Sequence, residues 1–186
     1  IASCLVGSEM CIRDSPMVLL AWEASAALAA GNAVIIKPSQ YTSLTTLLFA
    51  EAFKALPDGL FQVVTGEAAA GKSLVEHKDT HMVAFTGSVP VGVSIASKCG
   101  ELMKRSLIEN SGNDPFIVMP SAPMDITARA AAFSAYMNCG QICVSAERFF
   151  VHEKIHDEFV EKLIEETKKI RVGNGLDKVD MGPIVS

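Results

Sequence analysis

A doubly wound α/β fold on a parallel sheet is predicted by three features of the sequence. Short apolar runs of strand length at 33–37, 60–65 and 82–86 alternate with longer segments of helical period. Gly, Pro or Asn residues punctuate the boundaries between them. The run Ala33-Val-Ile-Ile-Lys37 is apolar without alternation, as a strand covered on both faces requires. A chain of 186 residues accommodates one domain or two small ones.

In chain order, residues 1–15 (IASCLVGSEMCIRDS) show no clear period. No basic region precedes a long apolar core, so they are not read as a signal peptide and are set apart as a segment unrelated to the fold. Pro16 suits the first turn of a helix whose apolar residues Val18, Leu19, Trp22, Ala26 and Leu28 recur at three and four, with Gly31-Asn32 as its stop. The strand 33–37 is ended by Pro38. Thr42 is placed to cap a helix over 43–55, with Leu44, Leu47, Leu48 and Ala52 on its inward face. Pro57-Asp58-Gly59 reads as a turn before strand 60–65, and a helix then runs to about Glu76. Strand 82–86 feeds Gly87-Ser88, which opens the next helix.

Strands at 105–108 and 116–119 are expected to bracket a loop carrying Glu109. A helix from Asp125 to about Tyr136 leads to Cys143, and 148–152 reads as a strand. The segment 153–170 is amphipathic, with Ile155, Phe159, Leu163 and Ile170 inward and Glu158–Lys162 and Glu165–Lys169 spaced as i,i+4 ion pairs. A glycine-rich loop follows.

With 49% hydrophobic and 20% charged residues the chain is globular rather than disordered. A formal charge of −5, with lysines and arginines scattered, argues against nucleic acid. Membrane insertion is not expected, because the most apolar stretch, 16–30, is too short and carries Glu23. Five cysteines, Cys4, Cys11, Cys99, Cys139 and Cys143, form no CxxC pair or even-numbered framework, which indicates reduced thiols and a cytoplasmic setting. No metal site is expected: the pairs His77/His81 and His152/His156 lack the glutamate of HExxH and straddle element boundaries.

Four stretches carry candidate chemistry. Cys143, in Asn138-Cys-Gly-Gln-Ile-Cys143, is a candidate nucleophile, although by itself it reads more readily as a small buried residue. Glu109 lies 34 residues upstream, at the end of a short apolar run, and is a candidate general base. Phe85-Thr86-Gly87-Ser88 sits at a strand-to-helix junction, where free amides and the helix dipole favour an anion. Lys37 stands at the carboxyl end of a strand, where open parallel sheets bind ligands. Two other readings are open. Gly66–Ser73 satisfies the phosphate-loop pattern GxxxxGK[ST], although strand 81–86 ends without the magnesium-holding aspartate. A noncatalytic binding module would leave Cys143 no more reactive than Cys99 or Cys139.

From Pro16 onward these motifs together resemble the aldehyde dehydrogenase superfamily, whose glutamate-glycine motif precedes its Gly-Gln-x-Cys motif by this interval. The resemblance implies part of a Rossmann-like dinucleotide domain over 16–108, followed by the start of an α/β catalytic domain over 109–186. It implies an aldehyde substrate, NAD or NADP as cofactor, Cys143 as nucleophile and Glu109 as general base. In Lys37-Pro38-Ser39-Gln40 it implies that Lys37 and Gln40 hold the adenosine ribose, with Ser39 in the same run, while Gly87 and Ser88 face the cofactor. Gln40 stands where a glutamate is common, and a neutral amide does not repel a 2′-phosphate. Family members are longer, so an incomplete chain without dehydrogenase activity is expected, and a homo-oligomer for the full-length protein. Two departures stand out: Ser111 replaces a glycine after Glu109, and Asp14 occupies the place of an oxyanion-holding asparagine.

Overall fold

The computed structural model describes residues 2–6 and 15–185, and it divides into two compact units, 1–111 and 112–186. The first unit holds strand β1 (Ala2–Val6), helix α1 (Pro16–Ala29), β2 (Ala33–Lys37), α2 (Ser43–Ala50), β3 (Phe61–Val63), α3 (Ala68–Glu76), β4 (Met82–Gly87), α4 (Val89–Glu101) and β5 (Arg105–Asn110). The five strands form one sheet in the order β3-β2-β1-β4-β5, and every neighbouring pair is parallel. This is half of a doubly wound arrangement, as the alternating pattern predicts.

The middle strand comes from the segment that the sequence reading set apart. Ala2–Val6 pairs with β2 on one side and with β4 on the other. Ladder hydrogen bonds are made by the backbone, so a short stretch fills this slot without the flanking motifs on which sequence recognition depends. Asp14 lies outside the described residues.

Successive residues of β4 point to opposite faces and so build two cores. Val83 and Phe85 join Val75, Ile95 and Cys99 on the face covered by α3 and α4. Ala84 joins Leu20, Ala24, Val34 and Ile36 on the other, with Leu28, Phe49 and Phe61 packed around them. Phe85 is 1% exposed, and burial of such a side chain stabilises by about 1.5–3 kcal/mol.

Two helix faces differ from expectation. In α1 the inward stripe is Leu20, Ala24 and Leu28, whereas Val18 and Trp22, two residues and about half a turn away, are exposed. In α2 Thr46 is buried while Leu44 and Leu48 are exposed, and a 3₁₀ turn at Glu51–Phe53 ends the predicted helix early. Both helices are apolar almost all round, so periodicity does not single out one face. Thr42 occupies the N-cap position of α2 without a side-chain cap hydrogen bond.

The second unit contains β6 (Asp114–Val118), α5 (Met124–Tyr136), β7 (Ala146–Val151) and α6 (His156–Thr167). Strands β6 and β7 pair in parallel, and Val118, Ala131 and Phe159 form the core, with Phe116, Phe149 and Leu163 packed around them. The expected i,i+4 ion pairs on α6 are replaced. Lys162 reaches Asp125 of α5 at 3.0 Å, and Lys169 takes Glu166 at 2.5 Å. These neighbours are supplied by packing and by the turn after the helix rather than by helical spacing. The first compact unit ends at Ser111, since β5 extends to Asn110 beside β4.

Candidate active site

In the first unit the strand order reverses between β1 and β4, and in open parallel sheets ligands gather beyond the carboxyl ends of strands at such a reversal. The ends of β2 and β4, together with α3 and α4, enclose a cavity of about 500 Å³. Val75, Phe85, Val91 and Ile95 supply apolar lining, and Lys37, Ser39, Gln40 and Ser88 supply polar lining. The structure therefore brings together four of the five residues singled out for cofactor binding. The fifth, Gly87, is buried at the end of β4, where its carbonyl accepts a hydrogen bond from Ser111 N at 3.0 Å.

Each polar residue has a distinct local reason for its place. Lys37 is buried at the end of β2, and its Nζ donates to the carbonyls of Pro38 at 2.9 Å and Gly66 at 3.1 Å. The ammonium thereby ties the end of β2 to the turn that follows β3. Ser39 is also buried. Its Oγ accepts from Tyr41 N at 3.4 Å, and its carbonyl accepts from Ser43 Oγ at 3.2 Å, so the residue shapes the turn that presents exposed Gln40. Ser88 is the N-cap of α4 by position, yet its hydroxyl makes no capping bond, and it stands at the positive end of a 13-residue helix.

Glu109 is not in a loop. It belongs to β5, in register with Thr86 of β4, and it is exposed. The run Glu-Asn-Ser-Gly is loop-like in composition, and pairing with β4 overrides that tendency as far as Asn110. Ser111 lies outside the left-handed backbone region, so serine in place of glycine causes no φ strain there. Sequence reasoning passed over a second carboxyl. Glu23 of α1 accepts a hydrogen bond from Thr86 Oγ1 at 3.1 Å, and burial, together with the nearby Glu109 charge, pushes its pKa up despite that bond. The signal was present as a single acid in the apolar run 16–30.

In the second unit Cys143 is exposed, in the loop between α5 and β7. Asn138, Cys139 and Gly140 take left-handed φ values of 52°, 61° and 70°, which turn the chain sharply at the end of α5. A side chain at Gly140 would lie 3.1 Å from the Ala135 carbonyl, so the close approach favours glycine. Buried Ser145 fastens the far end of the loop, its Oγ donating to the carbonyls of Ser134 at 3.1 Å and Ala135 at 3.3 Å. Gln141 Oε1 accepts from Val185 N at 3.0 Å. Cys143 thus sits on a loop held at both ends.

The phosphate-loop pattern does not form a phosphate loop. Helix α3 begins at Ala68, so Gly71 and Lys72 lie in its interior and Ser73 Oγ donates back to the Ala69 carbonyl at 3.0 Å. A phosphate-binding nest needs those amides at the mouth of a helix, before its own bonds begin. Two of the histidines serve turns: His77 Nδ1 accepts from Asp79 N and His152 Nδ1 from Lys154 N.

The aldehyde dehydrogenase family profile matches residues 14–186. Betaine aldehyde dehydrogenase of Brucella ovis is 42% identical over 174 residues, which cover 92% of this chain and 36% of that protein. Gamma-glutamyl-gamma-aminobutyraldehyde dehydrogenase from Burkholderia cenocepacia superposes with a TM-score of 0.92 at 38% identity, covering 100% of this chain and 38% of the other. A structure described as an E. coli NADP dependent enzyme gives a TM-score of 0.93 at 33% identity, covering 99% of this chain and 38% of the other. The chain spans little more than a third of the length of these relatives, matches the fold of the solved ones over that part, and belongs to the aldehyde dehydrogenase family.

Proposed function

We propose that this chain carries the cofactor pocket, the nucleophile and the general base of an enzyme that oxidises an aldehyde to a carboxylic acid with NAD or NADP. Residues 16–108 serve dinucleotide binding and 109–186 begin the catalytic part. The observation that carries the reading is the cavity at the ends of β2 and β4, in which Lys37, Gln40 and Ser88 converge beside an apolar lining. Its volume suits part of a dinucleotide: the apolar residues for a base, and the ammonium, amide and helix N-terminus for ribose and phosphate.

The Cys143 thiolate adds to the aldehyde carbonyl, forming a C–S bond and a tetrahedral adduct. Cys143 would hold this adduct while its carbon loses hydride, the acceptor chemistry that NAD or NADP would supply when bound, and would then carry the resulting thioester. Glu109 takes a proton from water, the hydroxide displaces the thiolate, and the carboxylic acid leaves. The setting is cytoplasmic, supported by Cys99, Cys139 and Cys143 as free thiols. A homo-oligomer is supported by the exposed apolar residues Trp22, Leu44 and Leu48.

The test uses a protein of the relatives' length that carries this chain. Cys143→Ala abolishes aldehyde-dependent cofactor reduction, and Glu109→Gln accumulates an acyl adduct on Cys143, seen as a mass increase after mixing with aldehyde and cofactor. Retention of activity by Cys143→Ala would overturn the assignment.

A further inference from the structure

Asn174 is the one asparagine of the chain that a glycine follows; Asn32, Asn110, Asn113 and Asn138 precede Ala33, Ser111, Asp114 and Cys139. Asn174 and Gly175 are both exposed, in the loop after α6. Asn174 Oδ1 accepts a hydrogen bond from Leu176 N at 3.0 Å, an Asx turn that folds the side-chain amide back over the following backbone and polarises its carbonyl. Among the described residues neither Asn174 Nδ2 nor Gly175 N makes a hydrogen bond. A polarised carbonyl therefore has an unengaged amide as its neighbour, with no β-carbon on Gly175 to hinder approach. By contrast, Asn32 Nδ2 and Asn138 Nδ2 are tied to the carbonyls of Ala27 and Gln141, and Asn110 is paired within β5.

The same loop rests on the segment that holds the Cys143 loop. A Cβ built at Gly182 lies 3.4 Å from Gly175 Cα, so the two backbones pass close. The Gly182 carbonyl accepts from Cys139 Sγ at 3.3 Å, and Cys139 belongs to the turn that leads into Cys143.

We propose that Asn174 is a self-modification site, which cyclises onto Gly175 N and opens to an aspartyl or isoaspartyl residue, and that the product loosens the tie between Gly182 and the Cys143 loop. Gly175 N gives its proton to solvent base and bonds to Asn174 Cγ; the Cγ–Nδ2 bond breaks and ammonia leaves with a proton from water. Water then opens the imide at either carbonyl. Opening at the backbone carbonyl carries the chain through Cγ and lengthens it by a methylene, which displaces Gly175 against Gly182. Either product adds a negative charge to a loop that already holds Asp177 and Asp180. The modification does not depend on the dehydrogenase reading.

The test ages the 186-residue chain in mildly alkaline buffer and follows its peptides by mass spectrometry, with isoaspartyl methyltransferase labelling to mark the lengthened product. The mass gain of amide-to-acid exchange is expected at Asn174 well before the other asparagines, with the methyl label on the same peptide. Gly175→Pro, which has no N–H to attack, and Asn174→Gln, whose longer side chain disfavours ring closure, both lose the early gain. Alkylation of Cys139 should be faster in the aged parent than in the fresh one and unchanged by ageing in either variant. No preferential gain at Asn174, or an equal gain in either variant, would overturn the site. Cys139 alkylation that stays constant while Asn174 is converted would overturn the effect on the Cys143 loop.

Discussion

Replacement of Gly92 by alanine sets two rules against each other. Gly92 lies inside α4 and is buried against β5. Helix propensity alone favours alanine over glycine by about 1 kcal/mol in a helix interior. A Cβ built at Gly92 lies 2.9 Å from Ile108 Cγ2 and closer still to Asn110 Oδ1, so the methyl group has no room unless α4 and β5 separate or both side chains move. Overpacking of this kind costs about 1–3 kcal/mol. Gly100, eight residues on in the same helix, provides the control, because an added Cβ there meets nothing within 4 Å. Gly100→Ala gains propensity without a clash. The two variants share the propensity gain to first order, so the difference between them isolates the packing cost: Gly92→Ala should be less stable than Gly100→Ala by about 1–3 kcal/mol. Urea denaturation read by circular dichroism gives both midpoints on one scale. If the two variants agree within about 0.5 kcal/mol, the usual error of additivity, the packing argument at the α4–β5 contact is wrong.

Two further predictions concern titratable groups. Glu23 has its pKa raised in the fold by burial first and by Glu109 as well, so the folded chain holds a proton that the unfolded chain releases near the ordinary 4.5. Stability is therefore greatest below that pH and falls as pH rises through the folded value. Glu23→Gln, which keeps an acceptor for Thr86 Oγ1, should remove this falling arm in a series of urea midpoints, and an unchanged pH profile would count against a buried carboxyl. Thiol labelling followed by peptide mass spectrometry should find Cys143 modified well before Cys99. Cys143 is exposed, whereas Cys99 is 1% exposed with its pKa pushed up by burial, and the reverse order would contradict both placements.

The order of elements from Pro16 onward was legible because strand-length apolar runs and Gly or Pro punctuation are local signals, and β2, β4 and α5 fall close to where those signals put them. Of the residues that meet at one cavity, Lys37 was legible through the rule that parallel strands present their carboxyl ends to ligands, Ser88 through its strand-to-helix junction, and Gln40 only through the family resemblance. What escaped was decided by neighbours. Val18 and Trp22 are as apolar as Leu20 and Ala24, and only the sheet determines which pair is covered. Glu109 sits in loop-like composition but finds a strand beside it. Lys72 belongs to a pattern written for a loop, whereas Ala68-Ala69-Ala70 ahead of it is strong helix former and carries the lysine onto a helical face. Lys162 takes a partner from another helix, which no i,i+4 rule anticipates.

The parallel ladder between β4 and β5 has a mechanical consequence. Six consecutive positions are in register from Met82–Arg105 to Gly87–Asn110, and the bond from Ser111 N to Gly87 O extends the tie by one residue. Glu109 is thus geared to the Thr86-Gly87-Ser88 turn rather than hung on a hinge. A ligand that draws this turn by a few tenths of an ångström carries the carboxylate with it, because independent movement would stretch several hydrogen bonds at once. Fine adjustment of the proposed base would therefore be transmitted through backbone from the proposed nucleotide side of the sheet, and substitutions that soften the β4–β5 ladder should blur the carboxylate's position without touching it.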